Sequence, residues 1–236
     1  MISIPKPQKY SARLASIEKI SSKVYLERFE LIEPKEITFV AGQTVMLYIA
    51  PGVNRTMSIA SPPPQKNSIT LIHDVSPMGM YSKWTLAAKV GDPMEFMGPL
   101  GVFMLDRESH RNKIFVATGT GVAPFYGMGV DYLSSGGTDD VTLYWGLRCE
   151  EDIFWQKEFE QLMQKYPNFR FVLTLSQPAE SWQGKRGHVQ DYVFSQLNHR
   201  DADYYMCGNR VMTDDMRAKL KDAGVPDTQV KFELFY

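Results

Sequence analysis

The sequence contains only two cysteines, Cys149 and Cys207, which are far apart in the chain and outside any C-x-x-C motif. Two thiolates cannot supply the four ligands of a cysteine-bound iron–sulfur cluster. The four histidines are scattered, without the spacing of a zinc site. Any redox chemistry of this chain would therefore need an organic cofactor rather than a protein-bound metal. This cysteine usage is also typical of a reducing compartment, so we expect a cytoplasmic location.

The sequence has little net charge and no long hydrophobic run. Its 26 basic and 27 acidic residues give a net charge of −1, so we expect no basic surface for nucleic acid or for an anionic membrane. No stretch reaches the roughly 18 apolar residues that a membrane-spanning helix needs. The first residues, MISIPKPQKYSARL, have prolines and lysines where a signal peptide would have an apolar segment. We therefore expect neither nucleic acid nor a membrane among the partners.

Two patterns of secondary structure divide the sequence. The first hundred residues contain short apolar or alternating runs separated by turn residues, which indicates five or six strands of a small antiparallel barrel. One helix, GMYSKWTLAAKV, interrupts these runs. After the polar segment 105–112, buried strands and helices alternate, which predicts a doubly wound parallel sheet. The predicted fold has two domains: an N-terminal antiparallel β-barrel, residues 1–107, followed by an α/β domain with a doubly wound parallel five-stranded sheet, residues 108–236.

A glycine-rich segment, VATGTGVAP, follows the first strand predicted for the second domain. Gly119 and Gly121 would let the backbone approach a phosphate, and the following helix would present free N–H groups and a favourable dipole to it. Pro124 suits the first turn of that helix. The segment is not the G-x-G-x-x-G pattern of Rossmann folds, because Ala123 and Pro124 follow where that pattern would continue. The sequence predicts a phosphate-binding loop here, with a tight turn that binds nothing as the alternative.

The predicted barrel contains three further features that point to an anionic ligand. Arg55 and Ser58 lie three positions apart in RTMS, and an arginine can bind a pyrophosphate through its planar guanidinium group. Ser82 lies at the start of the internal helix, where backbone N–H groups can bind an anion. The segment GPLGVF, residues 98–103, places two glycines and a proline in a fixed turn. Each feature alone also has an ordinary explanation, such as an exposed strand arginine or a helix cap.

Together these motifs resemble those of the ferredoxin–NADP reductase superfamily of flavin reductases. The family order is R-x-Y-[S/T], G-x-x-[S/T], G-P-x-G-x-F, G-T-G-x-A-P, C-G and a C-terminal aromatic residue. The corresponding segments here are Arg55–Ser58, Gly79–Ser82, Gly98–Phe103, Gly119–Pro124, Cys207–Gly208 and Phe235–Tyr236. Because these motifs occur in the family order over nearly the whole chain, the resemblance is specific where any single motif is not. Met57 departs from the pattern, since the family has an aromatic residue there.

The resemblance implies that the barrel binds FAD and that the second domain binds the nicotinamide nucleotide. Arg55 and Ser82 would contact the FAD pyrophosphate, and Ser58 would lie beside flavin N5, the atom that accepts the hydride. The G-x-x-S segment implies tightly held FAD, because free-flavin reductases of the superfamily lack it. Met57 implies a flavin environment that differs from that of the relatives. The barrel residues implied in cofactor binding are Arg55, Thr56, Met57, Ser58, His73, Gly79, Met80, Tyr81 and Ser82.

In the second domain, the resemblance places Gly119–Pro124 at the dinucleotide pyrophosphate and Cys207 near nicotinamide C4. Glu233 matches a carboxylate near the site of hydride transfer, and Phe235 matches the ring that covers the flavin. Which of Phe235 and Tyr236 stacks on the flavin stays open, and a buried cysteine without such a role is the alternative for Cys207. The residues implied in catalysis are Ser58, Cys207, Glu233 and Phe235, and those of this domain implied in cofactor binding are Thr118, Gly119, Thr120, Gly121, Ala123, Pro124, Arg148, Ser176, Arg186, Gln190, Cys207, Gly208 and Tyr236.

The end of the third predicted parallel strand indicates which nicotinamide nucleotide is the donor. An acidic residue there binds the ribose hydroxyls of NADH, whereas serine and arginine bind the 2′-phosphate of NADPH. The sequence has Ser176 and Gln177 at this position, and therefore has neither the acid nor the adjacent arginine. Arg148 and Arg186 are candidate cations for a phosphate, and Gln190 is a candidate amide contact. The pattern favours NADPH, with use of both nucleotides as the alternative.

The resulting interpretation is an FAD-dependent NAD(P)H oxidoreductase that passes electrons to a protein such as ferredoxin or flavodoxin. FAD suits this role because it accepts a hydride pair and releases electrons one at a time. The alternatives are a reductase of free flavin or of another small acceptor, and an electron-transfer subunit of a larger redox complex. A purely structural nucleotide-binding module is a further alternative, but it would leave Ser58, Cys207 and Glu233 without a role.

Overall fold

The computed structural model describes residues 5–195 and 201–234. The chain folds as two compact units. The first unit extends to Leu105 and includes Tyr126–Asp131, and the second contains Asp106–Phe125 and continues from Tyr132. The chain therefore passes from the first unit to the second at the start of the polar segment that separates the two predicted patterns.

Among the described residues, the first unit consists of six antiparallel strands, one complete helix and the segment Tyr126–Asp131. The elements are β1 (Gln8–Lys19), β2 (Val24–Glu33), β3 (Thr44–Ala50), β4 (Val53–Ser58), β5 (Ser68–Asp74), α1 (Met80–Ala87) and β6 (Pro93–Leu100). The strand order is β4-β3-β6-β1-β2-β5. After β4, the Ala60 N–H donates to the Thr70 carbonyl of β5 at 2.9 Å, so the chain directly after one outer strand meets the other outer strand. The predicted antiparallel barrel is confirmed.

The barrel forms because its strands direct apolar side chains to one common interior. Leu14, Phe29, Leu47 and Phe96, which come from four different strands, are fully buried in a single core cluster. Strand side chains alternate between the two faces of a sheet, so a curled sheet needs only every second residue to be apolar. Helix α1 packs on this core through Trp84, whose ring stacks on Phe29 with centroids 6.0 Å apart.

The second unit is a parallel sheet with helices between its strands. Its strands are β7 (Asn112–Thr118), β8 (Val141–Leu147), β9 (Phe169–Leu175), β10 (Lys185–Arg186), β11 (Ala202–Gly208) and β12 (Val230–Leu234). Its helices are α3 (Gln156–Lys165), α4 (Val189–Ser195), α5 (Arg210–Asp222) and both ends of α2 (Ala123–Ser134), whose middle is the segment Tyr126–Asp131 of the first unit. The strand order is β10-β9-β8-β7-β11-β12, with every pairing parallel. The predicted doubly wound α/β fold is confirmed.

The predicted number of five strands in this sheet is wrong, because the described residues form six. The additional strand, β10, contains only two residues, which are charged and exposed. Such a segment has neither the apolar run nor the alternation that marks a strand in a sequence. Helix α3 begins at Gln156, because Trp155 directly before it has a φ of 52°, which lies outside the right-handed helical region.

The strand order reverses direction between β7 and β11. In open α/β sheets, ligands bind beyond the carboxyl ends of the strands at such a point. The segment that follows β7 is the glycine loop, and β11 ends with Cys207 and Gly208. The sheet topology therefore places two of the sequence motifs at one edge of the sheet. In the part of the chain that the structure describes, no helix is long and apolar enough to cross a membrane.

Candidate functional site

Strand β4 carries the RTMS segment of the first unit. Met57 and Ser58 are buried, whereas Arg55 is half-buried and Thr56 is exposed. Met57 belongs to the apolar core cluster of the barrel, so its thioether contributes to packing. Arg55 is the residue of this segment that has both the charge and the solvent access to bind an anion.

A second group of polar side chains lies where β5 meets α1. His73 and Ser82 are both buried, and the His73 Nε2 lies 3.0 Å from the Ser82 hydroxyl oxygen. Burial lowers the pKa of His73 to about 4, and the positive charge of Arg55 contributes in the same direction, against a smaller opposing effect of Asp74. The imidazole is therefore neutral at neutral pH. The structure thus brings Arg55, His73 and Ser82 into one neighbourhood.

Helix α1 begins without a side-chain cap. Gly79 occupies the N-cap position with an extended backbone and no side-chain hydrogen bond, and the first turn has no acidic residue. Gly79 and Met80 are both exposed. The first N–H groups of a helix have no partner within it, and the helix dipole makes this end positive. The start of α1 can therefore donate hydrogen bonds to an anion.

The donors of this neighbourhood suit a diphosphate group. Arg55 supplies a permanent positive charge in a planar, bidentate geometry, which matches phosphate oxygens. The Ser82 hydroxyl and the first N–H groups of α1 supply further donors on the same helix. Because His73 is neutral, it holds the Ser82 hydroxyl without adding charge. The residues present therefore fit the phosphate part of a dinucleotide.

The side chain of Tyr81 points into the barrel and not towards solvent. Its hydroxyl donates to the carboxylate of Glu27 on β2, and the ring lies against His73 with centroids 4.5 Å apart. Glu27 is fully buried and also accepts a hydrogen bond from the Thr85 hydroxyl at 2.7 Å. Sequence reasoning missed Glu27. The sequence does contain a signal for it. Glu27 lies within the segment VYLERFEL, two residues from Tyr25 and from Phe29, so on a strand it shares a face with these two aromatic side chains.

In the second unit, the glycine loop approaches the end of β11. Gly119 has a φ of 55°, which side-chain-bearing residues rarely adopt, and a Cβ on Gly121 would overlap the backbone of Cys207 and Gly208. The Asn209 N–H donates to the Thr118 hydroxyl oxygen at 2.9 Å across the same gap between strands. The structure therefore brings the G-T-G and C-G motifs together.

The glycine loop leads directly into α2. Gly119–Val122 form one 3₁₀ turn, and α2 begins at Ala123, with Pro124 in its first turn as predicted. The side chains of Ala123 and Pro124 are buried, whereas Thr120 is partly exposed. The indole N–H of Trp145 donates to the Gly119 carbonyl at 2.9 Å and fixes the start of the turn. The loop is therefore held from β8 as well as from β11.

Cys207 lies on β11 opposite Glu233 of β12 and is fully buried. Burial raises the pKa of the Cys207 thiol well above its usual value, and the negative charge of Glu233 raises it further. The thiol is therefore protonated at neutral pH and is not poised as a nucleophile. Of the residues predicted to be catalytic, these two lie together, and Ser58 belongs to the first unit. Phe235 lies outside the described residues, as does Tyr236.

The candidate nucleotide-selecting residues lie in three places. The Arg148 Nε donates to the Gln177 side-chain oxygen at 2.9 Å, and the Ser176 hydroxyl donates to the Leu147 carbonyl at 3.4 Å, so Arg148 and Ser176 lie together at the ends of β8 and β9. Arg186 instead binds its own loop. Its Nη2 donates to three backbone carbonyls, those of Ala179, Glu180 and Trp182, at 2.8 to 2.9 Å. Gln190 lies in the first turn of α4.

Comparison with known proteins gives a family for each unit. Residues 11–105 match the oxidoreductase FAD-binding domain, and residues 115–218 match the oxidoreductase NAD-binding domain. The chain is 32% identical over 237 residues to ferredoxin–NADP reductase B of Sorangium cellulosum (strain So ce56), which covers 96% of this chain and 97% of that protein. The chain belongs to the ferredoxin–NADP reductase family. The resemblance inferred from the motifs is confirmed.

Two further relatives extend this comparison. The toluate 1,2-dioxygenase electron transfer component of Pseudomonas putida is 28% identical to this reductase over 229 residues, which cover 96% of this chain and 67% of that protein. The crystal structure of the Amycolatopsis cytochrome P450 reductase has the same fold, with a TM-score of 0.91 and 24% identity, over 100% of this chain and 72% of that chain. This ferredoxin–NADP reductase family member is an NAD(P)H-dependent flavoprotein oxidoreductase with FAD as its cofactor, which confirms the predicted cofactors and enzyme class.

Proposed function

We propose that this reductase transfers electrons from NADPH, through FAD, to a ferredoxin or flavodoxin-type protein. The observation that carries the proposal is the 32% identity to a ferredoxin–NADP reductase over 97% of that protein. An oxygenase component is the second candidate acceptor, because the chain is also 28% identical to a dioxygenase electron transfer component.

Under this proposal, residues 1–107 bind FAD. Arg55 pairs with the diphosphate, the Ser82 hydroxyl and the first N–H groups of α1 donate to it, and Ser58 orients the reacting end of the flavin. Thr56 and Met57 lie on the same strand as Arg55 and Ser58, and His73 fixes the Ser82 side chain by a hydrogen bond. When bound, FAD supplies the chemistry that accepts a hydride pair and releases single electrons. The contribution of the chain is to bind and orient the cofactor and its donor.

Residues 108–236 bind the nicotinamide nucleotide in this proposal. The loop Gly119–Pro124 holds its diphosphate, since the glycine backbone and the start of α2 meet there. Cys207, as a neutral thiol, and Glu233 line the nicotinamide position. Arg148 and Ser176 bind the 2′-phosphate, because an arginine and a hydroxyl side by side match its charge and its oxygen atoms.

An acceptor assay tests the proposed function. The purified holoenzyme is supplied with NADPH under anaerobic conditions, and reduction of ferredoxin, flavodoxin, a dioxygenase component and free FMN is measured in parallel. We expect kcat/KM for ferredoxin or flavodoxin to exceed that for free FMN by about 100-fold or more, as specific docking allows. A preference for free FMN would contradict the proposal and would favour a free-flavin reductase. A preference for the dioxygenase component would favour the second candidate.

Arg148→Ala is expected to lower kcat/KM for NADPH by about 10-fold and to leave kcat/KM for NADH unchanged. One charge-assisted hydrogen bond to a phosphate contributes about 1.5 kcal/mol or more, and only NADPH has the 2′-phosphate. The measurement is steady-state kinetics with both nucleotides. Arg170→Ala, which removes an exposed arginine from β9, is the matched control and should leave both values unchanged. Equal losses for the two nucleotides would show that Arg148 does not select the 2′-phosphate.

Ser58→Ala is expected to retain FAD but to slow its reduction by NADPH by about 10-fold. Without the Ser58 hydroxyl the reacting end of the flavin is less well oriented, and a misplaced reacting group slows the reaction even when the cofactor stays bound. Stopped-flow absorbance under anaerobic conditions measures the rate. Ser16→Ala, at an exposed serine of β1, controls for loss of a hydroxyl from the barrel. Reduction of the Ser58→Ala enzyme at the wild-type rate would remove Ser58 from the proposed site.

A further inference from the structure

Glu27 is a fully buried acidic residue in the interior of the barrel. Its carboxylate accepts two hydrogen bonds, one from the Tyr81 hydroxyl to Oε2 and one from the Thr85 hydroxyl to Oε1 at 2.7 Å. Burial raises the pKa of Glu27 to about 7, although both hydrogen bonds act in the opposite direction. Burying a carboxyl group is costly, so an apolar residue would stabilise the barrel interior more simply. This cost suggests that Glu27 has a role other than packing.

Both partners of Glu27 lie on α1. Tyr81 and Thr85 are four residues apart, so their side chains lie on the same face of the helix, one turn from each other. Each oxygen of one carboxylate on β2 therefore holds one turn of α1. Two contacts one turn apart fix both the rotation of the helix about its axis and its position along that axis.

Helix α1 needs such external contacts. It has only eight residues, it has no side-chain N-cap, and it has no basic residue in its last turn. Isolated helices of this length are unstable in water, so tertiary contacts must define the position of α1. The contacts with the core are made by Trp84 and Tyr81, whose rings stack with centroids 5.8 Å apart. The packing of these rings is less directional than the two hydrogen bonds to Glu27.

The same helix carries the candidate diphosphate donors. Ser82 directly follows Tyr81, and its hydroxyl lies 3.0 Å from the Nε2 of His73. The ring of Tyr81 also lies against His73. A rotation of α1 that displaced Tyr81 would therefore displace the Ser82 hydroxyl and the first N–H groups together.

We propose that Glu27 is a positioning residue for FAD, which holds α1 where the Ser82 hydroxyl and the first N–H groups of the helix meet the FAD diphosphate. Glu27 itself does not contact the cofactor. The inference rests on the proposed assignment of Arg55, Ser82 and the start of α1 to that diphosphate. It assigns a buried residue of β2, far from the sequence motifs, to cofactor binding.

The first test measures the Kd for FAD of each variant. The bound FAD is removed from the purified holoenzyme and then titrated back. Glu27→Ala is expected to raise the Kd for FAD by about 10-fold or more, because one charge-assisted contact to the diphosphate is worth at least that factor. Glu27→Gln is expected to restore affinity to within about 3-fold of wild type, since its amide oxygen can accept from Tyr81 and its amide nitrogen can donate to the Thr85 oxygen. Glu30→Ala is the matched control, because Glu30 lies on the same strand with a partly exposed side chain that pairs with Arg13.

The second test asks whether Glu27 acts through the diphosphate site. A double-mutant cycle combines Glu27→Ala with Ser82→Ala, and the proposal predicts that the two losses are strongly non-additive. Riboflavin, which lacks phosphates, should bind the wild type and Glu27→Ala equally well. Tyr81→Phe is a milder change that removes one of the two hydrogen bonds between Glu27 and α1, and it should also weaken FAD binding. It keeps the proposal testable if Glu27→Ala does not fold.

The outcomes separate this inference from the assignment on which it rests. If Ser82→Ala and Arg55→Ala bind FAD like the wild type, the diphosphate assignment fails, and the inference fails with it. If those two variants lose affinity while Glu27→Ala and Tyr81→Phe do not, only the role of Glu27 is overturned. Additive losses in the cycle, or equal losses for FAD and riboflavin, would mean that Glu27 stabilises the barrel in general, and would also overturn the proposal.

Discussion

Replacing Arg55 with alanine is expected to weaken FAD binding by about 100-fold. Hydrogen bonds to charged groups contribute roughly 1.5–3 kcal/mol, which corresponds to factors of about 10 to 150, and a bidentate arginine loses two of them. Arg55 is half-buried near His73, which is neutral at neutral pH and therefore cannot replace the lost positive charge. Equilibrium titration of the FAD-free protein, followed by flavin fluorescence, measures the Kd.

Two further variants show which property of Arg55 matters. Arg55→Lys keeps the charge but loses the planar geometry, so its affinity should lie between those of the wild type and Arg55→Ala. Arg13→Ala is the matched control, because Arg13 is an exposed arginine of the same barrel whose guanidinium pairs with Glu30. FAD affinity of Arg55→Ala within about 2-fold of wild type would be too small a change for a lost charge-assisted contact and would remove Arg55 from the proposed site.

The contribution of Glu27 to the free energy of unfolding is expected to fall by about 3 kcal/mol as the pH rises from about 4.5 to about 7. The pKa of Glu27 is raised from 4.5 to about 7 in the folded protein, mainly by burial. Between these values the folded state retains a proton that the unfolded state releases, so stability falls as the pH rises. Each pKa unit corresponds to about 1.4 kcal/mol, which gives this magnitude.

The difference between the wild type and Glu27→Gln isolates this contribution. His73 has the opposite pH dependence, because its pKa is lowered to about 4 and its stabilising effect is lost as the pH falls from 6.5. His73 is present in both proteins, and the pKa of Tyr81 is raised well above this pH range, so their contributions cancel. Urea unfolding of both FAD-saturated proteins at several pH values gives the difference. A difference that does not change with pH would show that Glu27 is not held protonated.

The motifs that could be read from the sequence depend mainly on local backbone geometry. Gly119 is recognisable because a left-handed φ after a buried strand requires glycine, and Pro124 because it suits the first turn of a helix. The alternation of strands and helices is likewise visible, because apolar residues recur with a different period in each over short stretches of sequence. For this reason both folds, and the positions of the glycine loop and the RTMS segment, could be predicted.

The features that were not predicted depend on contacts between distant parts of the chain. Glu27 and Tyr81 are 54 positions apart, and nothing in either local pattern shows that a buried carboxylate meets a tyrosine hydroxyl. The environment of Arg186 is similar, since its three hydrogen bonds to loop carbonyls depend on how residues 179–182 turn. Strand β10 is detectable only from its pairing with β9. Such contacts follow from the folded arrangement and have no local pattern of their own.

Anaerobic reduction of the bound flavin tests the central claim most directly. The purified protein, reconstituted with FAD and freed of excess cofactor, is mixed with NADPH or NADH while its visible flavin absorbance is followed. We expect a yellow protein with stoichiometric FAD that NADPH bleaches faster than NADH, and whose absorbance returns when oxidised ferredoxin or flavodoxin is added. A protein that retains no FAD, or whose FAD is reduced by neither nucleotide, would contradict the proposed function.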